Sequence, residues 1–375
     1  MPDACQPKCI PLFCGRITPL RQAQGRITMS QRSPLHRASS LAQVGAYLVS
    51  RDIAPGQLLR DMNIPAETLL GSNIWLPRNS VLELTWAINR RAGDELLGFH
   101  LGDLFELENY GEWTRRLLRC ATLGKALHHL CLTLHEQETG TRLSLRRQGD
   151  SVSIRSEMLG KMTADPRHQH DAHLYVLLKL LRCAAQPLAL TLRLPRHYRR
   201  VAEVEELLEL RVESGCDHAE LVFDAAALEL PMTDTPPQPQ HRASRAELTC
   251  QQVYREIVRT SGLSRPTTAS IADELALSVR TMQRRLSSWG FSFEEILDSY
   301  RKRRAMELLL HTQASVTEIA YGLGYSDAAH LTRAFRRWYG MPPRAARERA
   351  SQGGAALANE TAAPPLVPGF IAAPA

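Results

Sequence analysis

The last third of the chain repeats itself, and this constrains its fold more than any other feature. TTASIADELALS at 267–278 is echoed by SVTEIAYGLGYS at 315–326. At an offset of 48, Ile271 matches Ile319, Ala272 matches Ala320, Leu275 matches Leu323 and Ser278 matches Ser326. One residue is then gained, and MQRRL at 282–286 matches LTRAF at 331–335 at an offset of 49. Each copy reads as a short helix, a turn and a second helix. Ser315 and Glu318 spell the S-x-x-E capping box, and Thr267 holds the equivalent place in the first copy. Gly324 stands where the first helix ends, a position that often turns left-handed. Ala276 occupies that position in the first copy, where αL backbone costs about 1 kcal/mol. Ser278 and Ser326 are expected to cap the second helices.

The second helices carry the chemistry. Val279, Met282 and Leu286 share one face, which leaves Arg280, Thr281, Gln283 and Arg284 on others. In the second copy Ala328, Leu331 and Phe335 form the apolar stripe. Ala329, His330, Arg333, Arg336 and Arg337 are left over. Arg, Gln, Thr and His offer donors suited to base edges and phosphates. Gly322-x-Gly324 is not a phosphate loop: no third glycine, no Gly-Lys-Ser/Thr and no preceding strand accompany it. The plain alternative is a core helical hairpin with a solvated basic face. Two copies, each with arginine on the second helix, weigh against it. The chain carries a net charge of +7. Residues 246–350 hold 16 Lys+Arg against 11 Asp+Glu, whereas residues 1–245 hold 30 against 27. A basic excess concentrated there suits a polyanion.

Residues 250–349, through IAYGLGYSDAAHLTRAFRRWYGMPPRAAR, resemble the DNA-binding domain of the AraC/XylS family of bacterial transcription regulators. The resemblance implies two helix-turn-helix units joined by a long helix, FEEILDSYRKRRAMELLLH at 293–311. Ile296, Leu297, Tyr300, Ala305 and Leu308–Leu310 would supply its core face, and its RKRR run would face solvent or phosphate. It also implies recognition helices near 278–288 and 327–338. Arg280, Gln283 and Arg284 in the first, and Ala329, His330 and Arg333 in the second, are then the base-reading candidates. Departures from the pattern are Ala276 for a usual glycine, Pro342-Pro343 for a common Ser-Pro, and Ala346 where an aromatic often packs. The last would loosen the final helix. Residues 40–235 more weakly resemble the ligand-binding domain of ornithine-utilisation-like regulators, through GDELLGFHLGDLFELENYGEW, ATLGKAL and ELVFDAAALELPM.

At 375 residues the chain has room for two ordinary domains. Residues 1–35, broken by prolines, are expected to be disordered, and Met29 offers an alternative start. Residues 36–230 read as an α+β effector or dimerisation domain. SLAQVGAYLVSRD, VLELTWAINRRAGD, TLGKALHHLCLTLHE, HLYVLLKLLRCA and VAEVEELLEL have helical spacing. TRLSLRRQGDSVSIRSE reads as a hairpin, and LALTLRLP and AELVFD as strands. Residues 231–245, PMTDTPPQPQHRASR, form a Pro- and Gln-rich linker. Residues 246–350 form the all-α DNA-binding domain, and 351–375 a disordered tail.

No run of 18 apolar residues and no signal peptide is visible, so a cytoplasmic location without membrane contact is expected. Eight cysteines without a C-x-x-C pair read as reduced thiols. His168, His170 and His173 form H-x-H-x-x-H, but only His170 and His173 share a helical face, and no metal site is expected. Trp86, Tyr110 and Trp113 are candidate effector contacts, with a core role as the alternative. No nucleophile elbow, H-E-x-x-H, Walker loop or dinucleotide fingerprint occurs, so no catalytic residue, cofactor or enzyme activity is expected.

The expected function is sequence-specific transcription regulation, as an activator responding to a small molecule. The partners are promoter DNA, RNA polymerase, an unidentified effector and a second copy in a homodimer. The alternative is an architectural or constitutively dimeric DNA-binding protein without an effector.

Overall fold

The computed structural model describes residues 34–195, 198–233, 244–261 and 265–351. The N-terminal segment up to residue 33 with Met29, most of the linker and the tail from 352 lie outside the described residues. Leu35 departs from the expected first segment: it opens β1 (Leu35–Arg37), which pairs antiparallel with β2 (Trp75–Pro77). Around this ribbon lie α1 (Val44–Ser50), α2 (Pro55–Asp61) and α3 (Arg78–Ala92). Pro55 stands in the first turn of α2, where a missing N–H costs nothing. Next come α4 (Leu97–Leu104), α5 (Glu112–Leu118) and α6 (Leu123–Thr133), the last capped by the Thr122 side chain.

The expected hairpin is β3 (Thr141–Gln148) and β4 (Ser151–Met158), with Leu145 opposite Ile154. It is followed by α7 (Arg167–Leu181), β5 (Thr191–Pro195), α8 (Val201–Leu208), β6 (Arg211–Cys216) and β7 (Glu220–Asp224). The five-stranded sheet runs β3-β4-β7-β5-β6. Only β5 and β6 are parallel, joined through α8 as a βαβ unit. The C-terminal part is helical, as expected: α9 (Arg245–Thr260), α10 (Thr268–Glu274), α11 (Val279–Ser287), α12 (Phe293–His311), α13 (Val316–Gly322), α14 (Ala328–Tyr339) and α15 (Pro343–Ser351). The whole is an α+β N-terminal part followed by an all-α double helix-turn-helix.

Two hydrophobic cores organise these elements. One packs Phe99, Leu127 and Leu178 with Val204 against the sheet residues Ile154 and Leu192. The other starts at Ala38, takes in Leu48, Leu58 and Ile88, and continues into Cys250, Met282, Trp289, Ile296 and Phe335. Residues 38–97 therefore pack with the C-terminal helices. The Gly56 amide donates to the Trp289 carbonyl at 2.9 Å, and the Ala66 amide to Ser299 Oγ at 3.2 Å. A Cβ on Gly45 would stand 2.2 Å from the Trp289 ring. The Pro-rich linker marks a change of composition, while the apolar packing crosses it.

Candidate nucleic-acid interface

Both helix-turn-helix units are built from caps inward. In the first, Thr267 Oγ1 accepts from the Ser270 amide at 3.1 Å and Ser270 Oγ accepts from the Thr267 amide at 3.0 Å. Ala276 adopts the left-handed conformation, φ 51°, as its position in the repeat requires. Ser278 Oγ then accepts from the Thr281 amide at 3.2 Å and opens α11. Met282 and Leu286 are fully buried. Val279 is 37% exposed and leaves the expected stripe, because it is the first residue of the helix and overhangs the core. Arg285 donates to Thr249 Oγ1 at 3.1 Å and pins α11 to α9. Arg280, Gln283 and Arg284 are exposed, and Thr281 is half-buried with its hydroxyl bonded to Ser278.

The second unit repeats this with one correction. Ser315 and Glu318 close their capping box, and Gly324 turns left-handed at φ 75°. Asp327, not Ser326, caps α14: its Oδ1 accepts from the His330 amide at 2.8 Å. The residue gained between the copies falls before the cap rather than after it, so Asp327 is the counterpart of Ser278. A carboxylate also complements the partial positive charge of a helix start. The His330 amide holds the Asp327 carboxyl below its ordinary pKa. Displaced, Ser326 meets His330 Nδ1 at 2.6 Å.

Leu331 and Phe335 are fully buried under α14, and Ala328 is half-buried. Ala329, His330, Arg333, Arg336 and Arg337 are exposed. Arg337 is engaged, 3.1 Å from both Asp298 oxygens, and thus serves the α14–α12 contact. Trp338 Nε1 donates to the same carboxylate at 2.9 Å.

The RKRR run of α12 does not form the expected open basic strip. Arg301 donates to the Leu323 carbonyl at 2.9 Å and lies over the Tyr325 ring, which fixes the turn before α14. Arg303 reaches Glu67 at 3.1 Å, and Lys302 sits over the Tyr339 ring. Only Arg304 is exposed, and it pairs with Glu307. Helix-end carbonyls and a buried carboxylate bind these side chains, which spacing alone does not reveal. Nor is α15 loosened: Ala346 is fully buried, and Arg347 ties the helix to the carbonyls of Leu309 and Ala314. Arg344 and Arg349 extend the exposed basic surface beyond the expected set, although both stand within or beside the quoted motif.

The three N-terminal aromatics do not line one pocket. Tyr110 faces a cavity of about 40 Å³. Trp113 stands behind Tyr110, with ring centroids 5.1 Å apart, and is buried in the sheet core. Trp86 stands behind His168, centroids 5.3 Å apart, which lines the same cavity. A larger cleft of about 950 Å³ lies between residues 56–80 and the C-terminal helices, lined among others by Arg60, Trp75, Tyr254, Asp298 and Lys302. Among the described residues, no helix is long and apolar enough to cross a membrane.

Comparison with known proteins bears directly on these two parts. A family model described as a helix-turn-helix domain matches residues 271–349. A second, described as the N-terminal arabinose-binding domain of the AraC transcription regulator, matches residues 53–232. The ornithine utilization regulator of Pseudomonas aeruginosa is 30% identical over 284 residues, covering 71% of this chain and 82% of that protein. The HTH-type transcriptional activator RhaS of Escherichia coli is 40% identical over 80 residues, 21% of this chain and 29% of that one. Among solved structures, the transcriptional regulator CdpR from Pseudomonas aeruginosa aligns at 23% identity with a TM-score of 0.36, covering 78% of this chain and 96% of that one. With both domain models matched in order and a regulator aligned over most of both chains, this chain belongs to the AraC family of helix-turn-helix transcriptional regulators.

Proposed function

We propose that this chain activates transcription by placing α11 and α14 in successive major grooves of promoter DNA, about 34 Å apart along the duplex. One observation carries the reading. Two capped helices anchored by Met282, Leu286, Leu331 and Phe335 present Arg280, Gln283 and Arg284, and Ala329, His330 and Arg333, on exposed faces. Arg336, with Arg344 and Arg349, suits phosphate contacts, which would make affinity steeply salt-dependent. RNA polymerase and a second copy of the chain are the protein partners.

The effector is a small molecule. A cavity of about 40 Å³ beside Tyr110 holds little more than a water, whereas the 950 Å³ cleft matches metabolite-sized sites. Its walls come from both sides of the linker, so an occupant would bias how the DNA-binding helices are held. Footprinting and binding titrations test the DNA reading. Arg284→Ala and Arg333→Ala should each weaken operator binding by roughly 1–3 kcal/mol and relax preference at one base position. Arg337→Ala should leave base preference intact. Unchanged affinity and sequence preference in both Arg284→Ala and Arg333→Ala would refute it. A metabolite screen by thermal shift on the full chain tests the effector; silence across broad libraries would favour the effector-free alternative.

A further inference from the structure

Three side chains from distant stretches converge beside the small cavity. His36 comes from β1, Glu138 from the segment before β3, and His173 from α7. The chain segments bearing the first two are tied by backbone: His36 and Glu138 form an isolated antiparallel bridge, and the Thr139 amide donates to the Leu35 carbonyl at 2.8 Å. His36 and Glu138 are both only 4% exposed. One carboxylate oxygen, Glu138 Oε2, lies 3.1 Å from His36 Nδ1 and 3.2 Å from His173 Nε2. The three ligand atoms all lie within 4.8 Å of one another.

The hydrogen-bond accounting around the two rings is informative. Ser40 Oγ donates its only proton to the Arg37 carbonyl at 2.9 Å. His36 Nε2 lies 2.6 Å from the same hydroxyl, so Ser40 and Glu138 hold the ring at both nitrogens. The tautomer protonated at Nε2 leaves a lone pair on Nδ1, facing Glu138. His173 is arranged differently. Its Nε2 has two neighbours, Glu138 Oε2 at 3.2 Å and the Gln169 side-chain nitrogen at 3.0 Å, while Nδ1 faces Ser156 Oγ at 3.4 Å. Two ring nitrogens thus close on one buried carboxylate oxygen, and the Gln169 side chain turns aside when His173 Nε2 binds a ligand. Two nitrogens and an oxygen gathered this closely form a donor cluster that one cation can occupy.

We propose that His36 Nδ1, Glu138 Oε2 and His173 Nε2 hold one divalent transition-metal ion of the Zn²⁺ class. Two imidazoles and a carboxylate are a donor set for such an ion, and metal–ligand bonds of 2.0–2.1 Å make tetrahedral edges of about 3.3 Å. The observed edges to Glu138 are close to that. Ser40 and Ser156 orient the rings from outside, as second partners of metal-binding histidines do. The cavity lined by His36 and His173 leaves room for a water in the fourth position. His168 lines that cavity fully buried, with no hydrogen-bond partner on either ring nitrogen among the described residues. The ion would fasten β1 and the segment before β3 to α7. Of the H-x-H-x-x-H run only His173 takes part; its other two ligands are distant in sequence.

The test uses the full-length protein, stripped with a chelator and titrated with Zn²⁺ against a chromophoric competitor, with metal content read by mass spectrometry. One equivalent should bind, and Co²⁺ in its place should show visible d–d absorption without a thiolate charge-transfer band. Glu138→Gln and His173→Ala should lose that site, while His170→Ala keeps it. No stoichiometric uptake by the wild-type protein would leave a plain His–Glu–His ion cluster and overturn the proposal. So would a thiolate band, which would put the ion at cysteines, or uptake undiminished in folded Glu138→Gln. Should both variants fail to fold, the wild-type uptake and the Co²⁺ spectrum decide on their own.

Discussion

Glu67 and Arg303 meet across the linker, Oε1 to Nε at 3.1 Å, with Glu67 fully buried on a short 3₁₀ turn and Arg303 in the middle of α12. Ser299 donates to the other Glu67 oxygen, and Glu307 takes a second face of the guanidinium. A buried pair of this kind is costly to break from one side, because the survivor keeps its charge without its partner. Glu67→Ala is expected to lose about 3–5 kcal/mol, and Glu67→Met with Arg303→Met should recover much of it. Urea denaturation of the three proteins measures this. A single-variant loss below about 1 kcal/mol would show that the pair does not hold the two parts together.

Two glycines separate close packing from helix propensity. A Cβ on Gly56 would stand 2.1 Å from the Gly290 carbonyl oxygen, a backbone atom that cannot rotate away. Gly322, at the end of α13, has nothing within 4 Å of its Cβ position. Gly56→Ala should cost about 1–3 kcal/mol by forcing α2 off the turn after α11. Gly322→Ala should be neutral or gain about 0.5–1 kcal/mol. Equal effects of the two in thermal denaturation would contradict the packing described.

Ala276 carries the strain that glycine would avoid at φ 51°. Ala276→Gly should therefore stabilise by about 1 kcal/mol, offset in part by the greater freedom of glycine when unfolded. The measurement is the denaturation midpoint. A loss of stability would mean that the Ala276 methyl group makes contacts that outweigh its backbone.

Burial pushes the Asp171 carboxyl up to about 7, with the Tyr198 hydroxyl and Arg167 only partly opposing it. The folded chain thus keeps a proton that the unfolded chain releases near pH 4, and stability falls as pH rises from about 4 to 7. Asp171→Asn removes that dependence. Between pH 5 and pH 8 its stability relative to wild type should rise by about 2–3 kcal/mol. A pH-independent difference in urea titrations would show that Asp171 is not held protonated.

The DNA-binding half was legible because its signals are local. Capping residues, the αL position and apolar spacing all repeat within fifty residues, and α12 spans the residues expected of it. One slip was local, the α14 cap falling on Asp327 rather than Ser326, and the tertiary fold decided the others. The RKRR side chains turned inward because Glu67 and the Leu323 carbonyl wait for them. Val279 left the stripe because only the fold decides where a core ends. β6 escaped notice since Val212 is its sole buried residue, too little for an alternation to register. The His36–Glu138–His173 convergence has no sequence signature, because its members come from three separate elements.

The core that runs from Ala38 to Ala346 sets where this protein can be cut. A graft made at the Pro-rich linker would tear Trp289 and Gly290 from Gly45 and Gly56, and leave raw apolar surface on both pieces. The transplantable unit is the C-terminal helices together with residues 38–97, two stretches separated in sequence by the sheet. Exchanging ligand specificity between relatives would therefore mean replacing the insert between those stretches rather than swapping one end of the chain for another.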